Sequence, residues 1–137
     1  TFELTNIKES YRVCCEQVSH HPPISAYYSE SLRPTASSKP KWKYYGSVYP
    51  QIKLNILNAS VEAFPIGIST LELPEYDETY TWNSLKVSAH NLVLGKLWFE
   101  YTGRAEVINH KLKVKCYLEF KVKYFFLVFY KYFLTHL

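Results

Sequence analysis

Apolar and polar residues alternate with a period of two along much of this chain. From Lys111, the run KLKVKCYLEFKVK sets Lys111, Lys113, Lys115, Glu119, Lys121 and Lys123 on one face, and Leu112, Val114, Cys116, Leu118, Phe120 and Val122 on the other. Successive side chains of a strand point to opposite faces, so the pattern predicts an antiparallel strand with one wet and one buried face. Tyr11 to Val18 reads as a strand from its mixture of β-branched, aromatic and polar residues. Further strands are expected at Ile24 to Ser29, Trp42 to Tyr49, Gln51 to Leu57, Ile68 to Leu73, Leu85 to Leu94, Lys96 to Tyr101 and Ala105 to Asn109.

Turn chemistry separates these runs at Pro22-Pro23, Asn58-Ala59-Ser60, Pro74 and Thr102-Gly103. No segment has the caps and 3.6-residue period of a convincing helix. Many short strands at close spacing predict an all-β, mainly antiparallel fold, as a sheet, sandwich or barrel. Ser31 to Pro40 is rich in Pro and Ser and reads as a surface loop. The last run, YFFLVFYKYFLTHL from Tyr124 to Leu137, is almost wholly aromatic or aliphatic. It is shorter than the ~20 residues of a membrane-crossing helix, and exposed it would be an aggregation hazard.

Composition narrows the class. With 137 residues, 47% hydrophobic and 20% charged, the chain has a one-domain length and a globular balance, not that of a disordered segment. There is no Met, an initiator included, so the chain is expected to be a piece of a longer protein. The net charge of +4 suits an anionic partner without naming one. Cys14 and Cys15 are adjacent, so on a strand they face opposite ways and cannot readily pair; a reduced, cytosolic setting is expected. Nothing resembles a signal peptide, and Asn58-Ala59-Ser60 reads as a turn, not as a glycosylation site.

The chemistry concentrates in EQVSHHPPIS, residues 16 to 25, where His20 and His21 stand against Pro22 and Pro23. Pro22 keeps His21 out of the helical region, so the histidine backbone is set before any ligand arrives. Neighbouring side chains on a regular strand diverge, so two imidazoles serving one ligand require a bend there. A metal site needs three or four ligands, and Glu16 and Cys15 lack the spacing of a zinc motif. Ser19 beside His20 could suggest a nucleophile and its base, without the elbow or oxyanion loop of a hydrolase. Anion binding asks least, since imidazole nitrogens donate to phosphate and become cationic near pH ~6.5. Two satisfied turn histidines are the bland alternative, and the residues alone leave these readings open.

EQVSHHPP, Glu16 to Pro23, resembles the signature of the oxysterol-binding-protein-related family of lipid-transfer proteins. The resemblance continues through TFEL at 1 to 4, GSVYP at 46 to 50, SVEAFPIG at 60 to 67, TLEL at 70 to 73, ETYTW at 78 to 82 and HNLVLGKLWFEYTG at 90 to 103. It implies a fragment of a large, incomplete antiparallel β-barrel enclosing a tunnel for one lipid. It also implies non-vesicular transfer of a sterol and phosphatidylinositol 4-phosphate between membranes, with His20 and His21 gripping the phosphate of the headgroup.

Residues 1–123 are then the central part of the lipid-binding domain, and 124–137 a divergent aromatic tail where a truncated gene product or translated non-coding stretch departs from the family. The resemblance places a lid, a sterol-contacting segment and a headgroup lysine upstream of Thr1. No enzyme activity, cofactor, metal or nucleic acid is expected. The expected partners are a single lipid, a phosphoinositide headgroup and membrane surfaces met peripherally from the cytoplasm, at contact sites. Two rival readings are a β-rich interaction or structural fragment without ligand, and a His-dependent metal or hydrolytic enzyme. Lys96 is a weaker candidate near the tunnel mouth. Trp42, Trp82 and Trp98 are expected in packing or the barrel wall, and His90 and His110 in structural or surface roles.

Overall fold

The computed structural model describes residues 2–5, 10–32, 39–56, 59–121 and 132–136. Among them are eleven strands and no helix: β1 (Phe2–Thr5), β2 (Ser10–His20), β3 (Pro23–Ser31), β4 (Lys43–Asn55), β5 (Ser60–Ile66), β6 (Ile68–Leu73), β7 (Glu78–Asn83), β8 (Lys86–His90), β9 (Trp98–Asn109), β10 (Val114–Phe120) and β11 (Tyr132–His136). Every pairing is antiparallel, as the alternating pattern predicts.

The order is a meander. β5 and β6 pair with successive stretches of β4 and are interrupted at Gly67, while β7 and β8 continue each other across Ser84 and Leu85. β9 then pairs with β8 through Trp98 to Thr102 and with β7 through Val107 to Asn109. Each long strand therefore lies beside its sequence neighbours, and β1 and β11 form the two edges of one open wall.

The interruptions have local causes. At Gly67 a Cβ would collide with the Ser47 carbonyl of β4, so only glycine lets the two backbones approach so closely. Opposite Ser84 and Leu85 the ladder is patched by a side chain: Asn83 Oδ1 accepts the Glu106 N–H at 2.7 Å, and its Nδ2 donates to the Arg104 carbonyl at 3.0 Å. Gly103, at φ +112°, lies in β9 facing this gap. The expected turn at Thr102-Gly103 is thus a bend inside a continuous strand. The expected break at Pro50 is absent as well, because Pro50 faces Pro65 across β4 and β5. A facing pair without N–H groups turns its nitrogens to the outer flanks, and there the β3–β4 ladder has ended at Val48 and the β5–β8 ladder at Ala63.

Other boundaries differ. The expected Leu85 to Leu94 strand stops at His90, and residues 91–97 form a loop. Lys111 to Lys113 belong to the β9–β10 turn, where Asn109 Oδ1 accepts from the backbone N–H groups of Lys111 and Leu112 and Lys113 takes φ +56°. Leu112, expected on the buried face, is exposed in that turn. Residues 33–38 of the expected surface loop, and 122–131 and 137 of the C-terminal run, lie outside the described residues.

The registers sort the side chains cleanly. One face carries ion pairs and rings capped by cations: Lys43–Glu72 at 3.0 Å, Lys86–Glu62 at 2.8 Å, Lys115–Glu106 at 2.7 Å and the Arg104 guanidinium 3.7 Å from the Tyr117 ring centre. The other face carries Ile52, Leu54, Val61, Ala63, Leu71, Trp82, Val87, Val107 and Leu118. Among the described residues no second layer lies behind this wall, and of their apolar residues only Pro40 and Ala105 are buried.

Candidate functional site

His20 and His21 sit at the tip of the β2–β3 hairpin. His20 is the last residue of β2 and pairs with Pro23, and His21 begins the turn with a cis peptide bond to Pro22. Just before them the register shifts between Gln17 and Ser19, leaving Val18 as an extra, exposed residue. Such a bulge turns the strand and re-aims the side chains beyond it. The bend expected at this point therefore exists, and both imidazoles stand exposed at the hairpin tip.

Chain direction fixes what shares this end of the wall. β2 and β4 finish here, β3 and β5 start here, and so do the end of β8 and the start of β9. The β4–β5 and β8–β9 loops are joined by a hydrogen bond from the Leu92 N–H to the Ala59 carbonyl at 3.1 Å. Lys96 belongs to this rim, with its carbonyl held by Asn91 Nδ2 at 3.2 Å and its side chain exposed. His90 closes the rim on the polar face: Nε2 lies 2.8 Å from Glu100 Oε1, and the ring stacks on Trp98 with centres 4.2 Å apart. Trp98 thus packs against a histidine on the outer face. His110, by contrast, lies at the opposite end, 2.8 Å from Thr81 Oγ1.

Below the rim the apolar face carries an open hollow of about 660 Å³. Its walls are Pro65 of β5, Trp82 of β7, Val87 of β8, Ala105 and Val107 of β9, and Leu118 and Phe120 of β10. These residues line one hollow because β5, β8, β9 and β10 are neighbours in the sheet and β7 pairs with β9. Such a volume lined by apolar side chains suits a small apolar ligand. Trp82 is in the wall, as expected, while Trp42 packs against Tyr11 with ring centres 6.3 Å apart.

Among the described residues no group of three or more His, Cys, Asp or Glu side chains could hold a metal. Cys14 is half-buried and Cys15 exposed, and neither is in a disulfide. No helix among the described residues is long and apolar enough to cross a membrane. The sequence did not reveal a cluster of hydroxyls on the apolar face, formed by Tyr27, Tyr44 and Ser69. The alternation Ser25, Tyr27, Ser29 marks a hydroxyl-bearing face of β3, but the register that brings Ser69 to it is a tertiary property.

The site is thus an open antiparallel wall with one apolar face, a hollow on that face and a paired-histidine hairpin at its rim. The family model described as oxysterol-binding protein matches residues 1–131. Human oxysterol-binding protein-related protein 1 is 46% identical over 121 residues, covering 88% of this chain and 12% of that protein. Mouse oxysterol-binding protein-related protein 2 is 46% identical over 121 residues, covering 88% of this chain and 23% of that protein.

Two solved structures have the same fold. The Osh1 ORD domain in complex with ergosterol matches with a TM-score of 0.71 and 31% identity, over 89% of this chain and 28% of that one. The Osh3 ORD in complex with PI(4)P from Saccharomyces cerevisiae matches with a TM-score of 0.71 and 26% identity, over 91% and 31%. The chain belongs to the oxysterol-binding protein family, and spans under a third of the length of these relatives.

Proposed function

We propose that this chain forms part of the wall of a lipid-transfer domain that holds one lipid at a time, a sterol or phosphatidylinositol 4-phosphate, and moves it between membranes. The observation that carries the reading is the continuous apolar face with its cavity, open below a rim that bears His20 and His21. Relatives solved with ergosterol and with PI(4)P support the two ligand classes. In this reading residues 1–123 are the central part of the domain and 124–137 a divergent segment. The protein binds and carries lipid without turning it over, and works peripherally at cytoplasmic membrane surfaces and contact sites. His20 and His21 donate to the phosphate of the headgroup, on a backbone held by Pro22 and Pro23.

The test uses a hybrid in which this chain replaces the matching segment of a relative's domain. His20→Ala combined with His21→Ala removes donors whose charge-assisted hydrogen bonds are each typically worth ~1.5–3 kcal/mol. Extraction of phosphatidylinositol 4-phosphate from liposomes should fall at least roughly tenfold, since about 1.4 kcal/mol is one decade of affinity. Sterol extraction should persist, because its contacts lie along the apolar face. Unchanged phosphoinositide extraction would remove the pair from the site, and equal loss of both lipids would assign it a folding role.

A further inference from the structure

The stem of the β8–β9 loop is closed by three side chains on the polar face. His90 ends β8 and is the register partner of Trp98, which opens β9, and Glu100 follows on the same face of β9. The His90 ring lies nearly parallel to the Trp98 indole, with centres 4.2 Å apart and planes at 15°. Its Nε2 meets Glu100 Oε1 at 2.8 Å, and the two side chains are 28% and 17% exposed. Above this stem the loop backbone is held by side-chain and backbone bonds. Asn91 takes φ +61° and Gly95 φ +94°, and Asn91 Nδ2 donates to the Lys96 carbonyl at 3.2 Å. The Leu92 N–H donates to the Ala59 carbonyl of the β4–β5 loop at 3.1 Å. Leu92 follows His90 closely in the chain, so the joint between the two rim loops stands directly on the three side chains.

The charges that face His90 come from every neighbouring strand. β9 contributes Glu100, β5 contributes Glu62, its own strand Lys86, and β4 contributes Lys53 beyond Glu62. Lys86 pairs with Glu62 at 2.8 Å. Glu62 is held below its ordinary 4.5, first by the Lys86 hydrogen bond and then by the charges of Lys86, Lys53 and His90. Among the described residues the ion-pair partner of Glu100 is His90 alone. Lysines and carboxylates ordinarily keep their charges between about pH 5.5 and about pH 8, whereas an imidazole changes its charge near ~6.5. A neutral ring carries hydrogen on one nitrogen only, and the cation carries it on both, so Nε2 then always donates to Glu100. The same proton turns that hydrogen bond into an ion pair and sets a cation on an indole face. Proton binding and a closed stem therefore favour each other, in full below the ordinary imidazole value and progressively less as pH rises past it.

We propose that His90, Trp98 and Glu100 form a proton-operated clamp on the β8–β9 loop, which tightens the joint between the two rim loops in mild acid and loosens it above neutrality. The clamp lies on the polar face and does not depend on a lipid held by the apolar one.

The test is residue-resolved hydrogen exchange of the 137-residue chain, kept dilute. Rates are measured at about pH 5.5 and about pH 8, each divided by the intrinsic rate of an open amide at that pH. Protection of the Leu92 amide should be roughly three- to tenfold higher at the acid end, the scale of one part-exposed ion pair with one cation–π contact. The Ser31 amide, which donates to the Trp42 carbonyl at 3.1 Å near the opposite end of the wall, is the internal reference and should not change. His90→Gln keeps an N–H donor for Glu100 without a titrating charge, and should bring the pH ratio at Leu92 close to one. Glu100→Gln keeps an acceptor without its charge and should shrink the ratio, so the conclusion does not hang on a single variant folding. A Leu92 ratio near one in the unchanged chain, a ratio that survives intact in both variants, or an equal change at Ser31 would each overturn the clamp.

Discussion

Glu72 shows how much the polar face asks of single residues. Its carboxylate accepts the Tyr45 hydroxyl at 2.8 Å and the Lys43 ammonium at 3.0 Å, tying β6 to β4. The Tyr45 hydrogen bond first, then Lys43, lowers its pKa below the ordinary 4.5. Glu72 holds Lys43 above its ordinary 10.5 in return. A depressed carboxylate stabilises the fold above its ordinary pKa and loses that contribution as pH falls through the depressed value. A raised lysine contributes below its ordinary pKa and loses it as pH rises through the raised value. The pair therefore contributes fully between the two ordinary values. Both side chains are about one-third exposed, so solvent limits the gain. Glu72→Gln should cost about 1 kcal/mol in urea unfolding at neutral pH. The gap to the unchanged chain should shrink below pH 4.5 as Glu72 itself protonates. An equal gap at about pH 3 and about pH 7 would show that the carboxylate charge plays no part.

At the scale of elements, the wall depends on how its interruptions are repaired. Asn83 stands in for the missing ladder opposite Ser84 and Leu85, so Asn83→Ala leaves the Glu106 N–H and the Arg104 carbonyl without that partner. The expected loss is ~1–3 kcal/mol, with faster hydrogen exchange at the Glu106 amide. Asn83→Asp keeps the acceptor and should protect that amide, and unaltered exchange in the Ala variant would refute the repair. The same interruptions mark where sequence reading ran short. The alternation of β10 was plain because its partners on both flanks run without a break from Val114 to Leu118. β5 was missed because Phe64 puts a ring on the polar face, where Lys53 and Lys86 cover it at 5.1 and 5.9 Å, and Pro65 imitates a breaker. Pro50 and Gly103 carry turn chemistry within continuous strands, where a bend or a finished ladder tolerates them. The turn that carries the histidine pair was legible because its signal is local, the two prolines that follow it. The hydroxyl cluster was not, since Tyr27 and Ser69 meet only through the register of β4 with both neighbours.

The described residues form one sheet, and their stability problem follows from having a single layer among them. Domains bury a sheet face against a second layer or close it into a barrel. Here Ile52 and Leu54 at the rim end of β4 are 66% and 73% exposed on the apolar face, and Phe99 and Tyr101 of β9 are 63% and 61% exposed. Exposed apolar area of this kind associates with whatever apolar surface is available. At ~25 cal/mol per Å², a few hundred Å² covered on each of two chains outweighs part of the entropy of association. The 137 residues expressed alone should therefore be monomeric only when dilute. Their sedimentation coefficient should rise with concentration into the tens of micromolar, alongside strong binding of a hydrophobic dye. Ile52→Lys combined with Leu54→Lys places charges on that face without touching the ladder, and should shift association to higher concentration. Lipid vesicles should compete with the dye for the same surface. A sedimentation coefficient independent of concentration, with no dye binding, would mean that the apolar face is covered in a way this single layer does not provide.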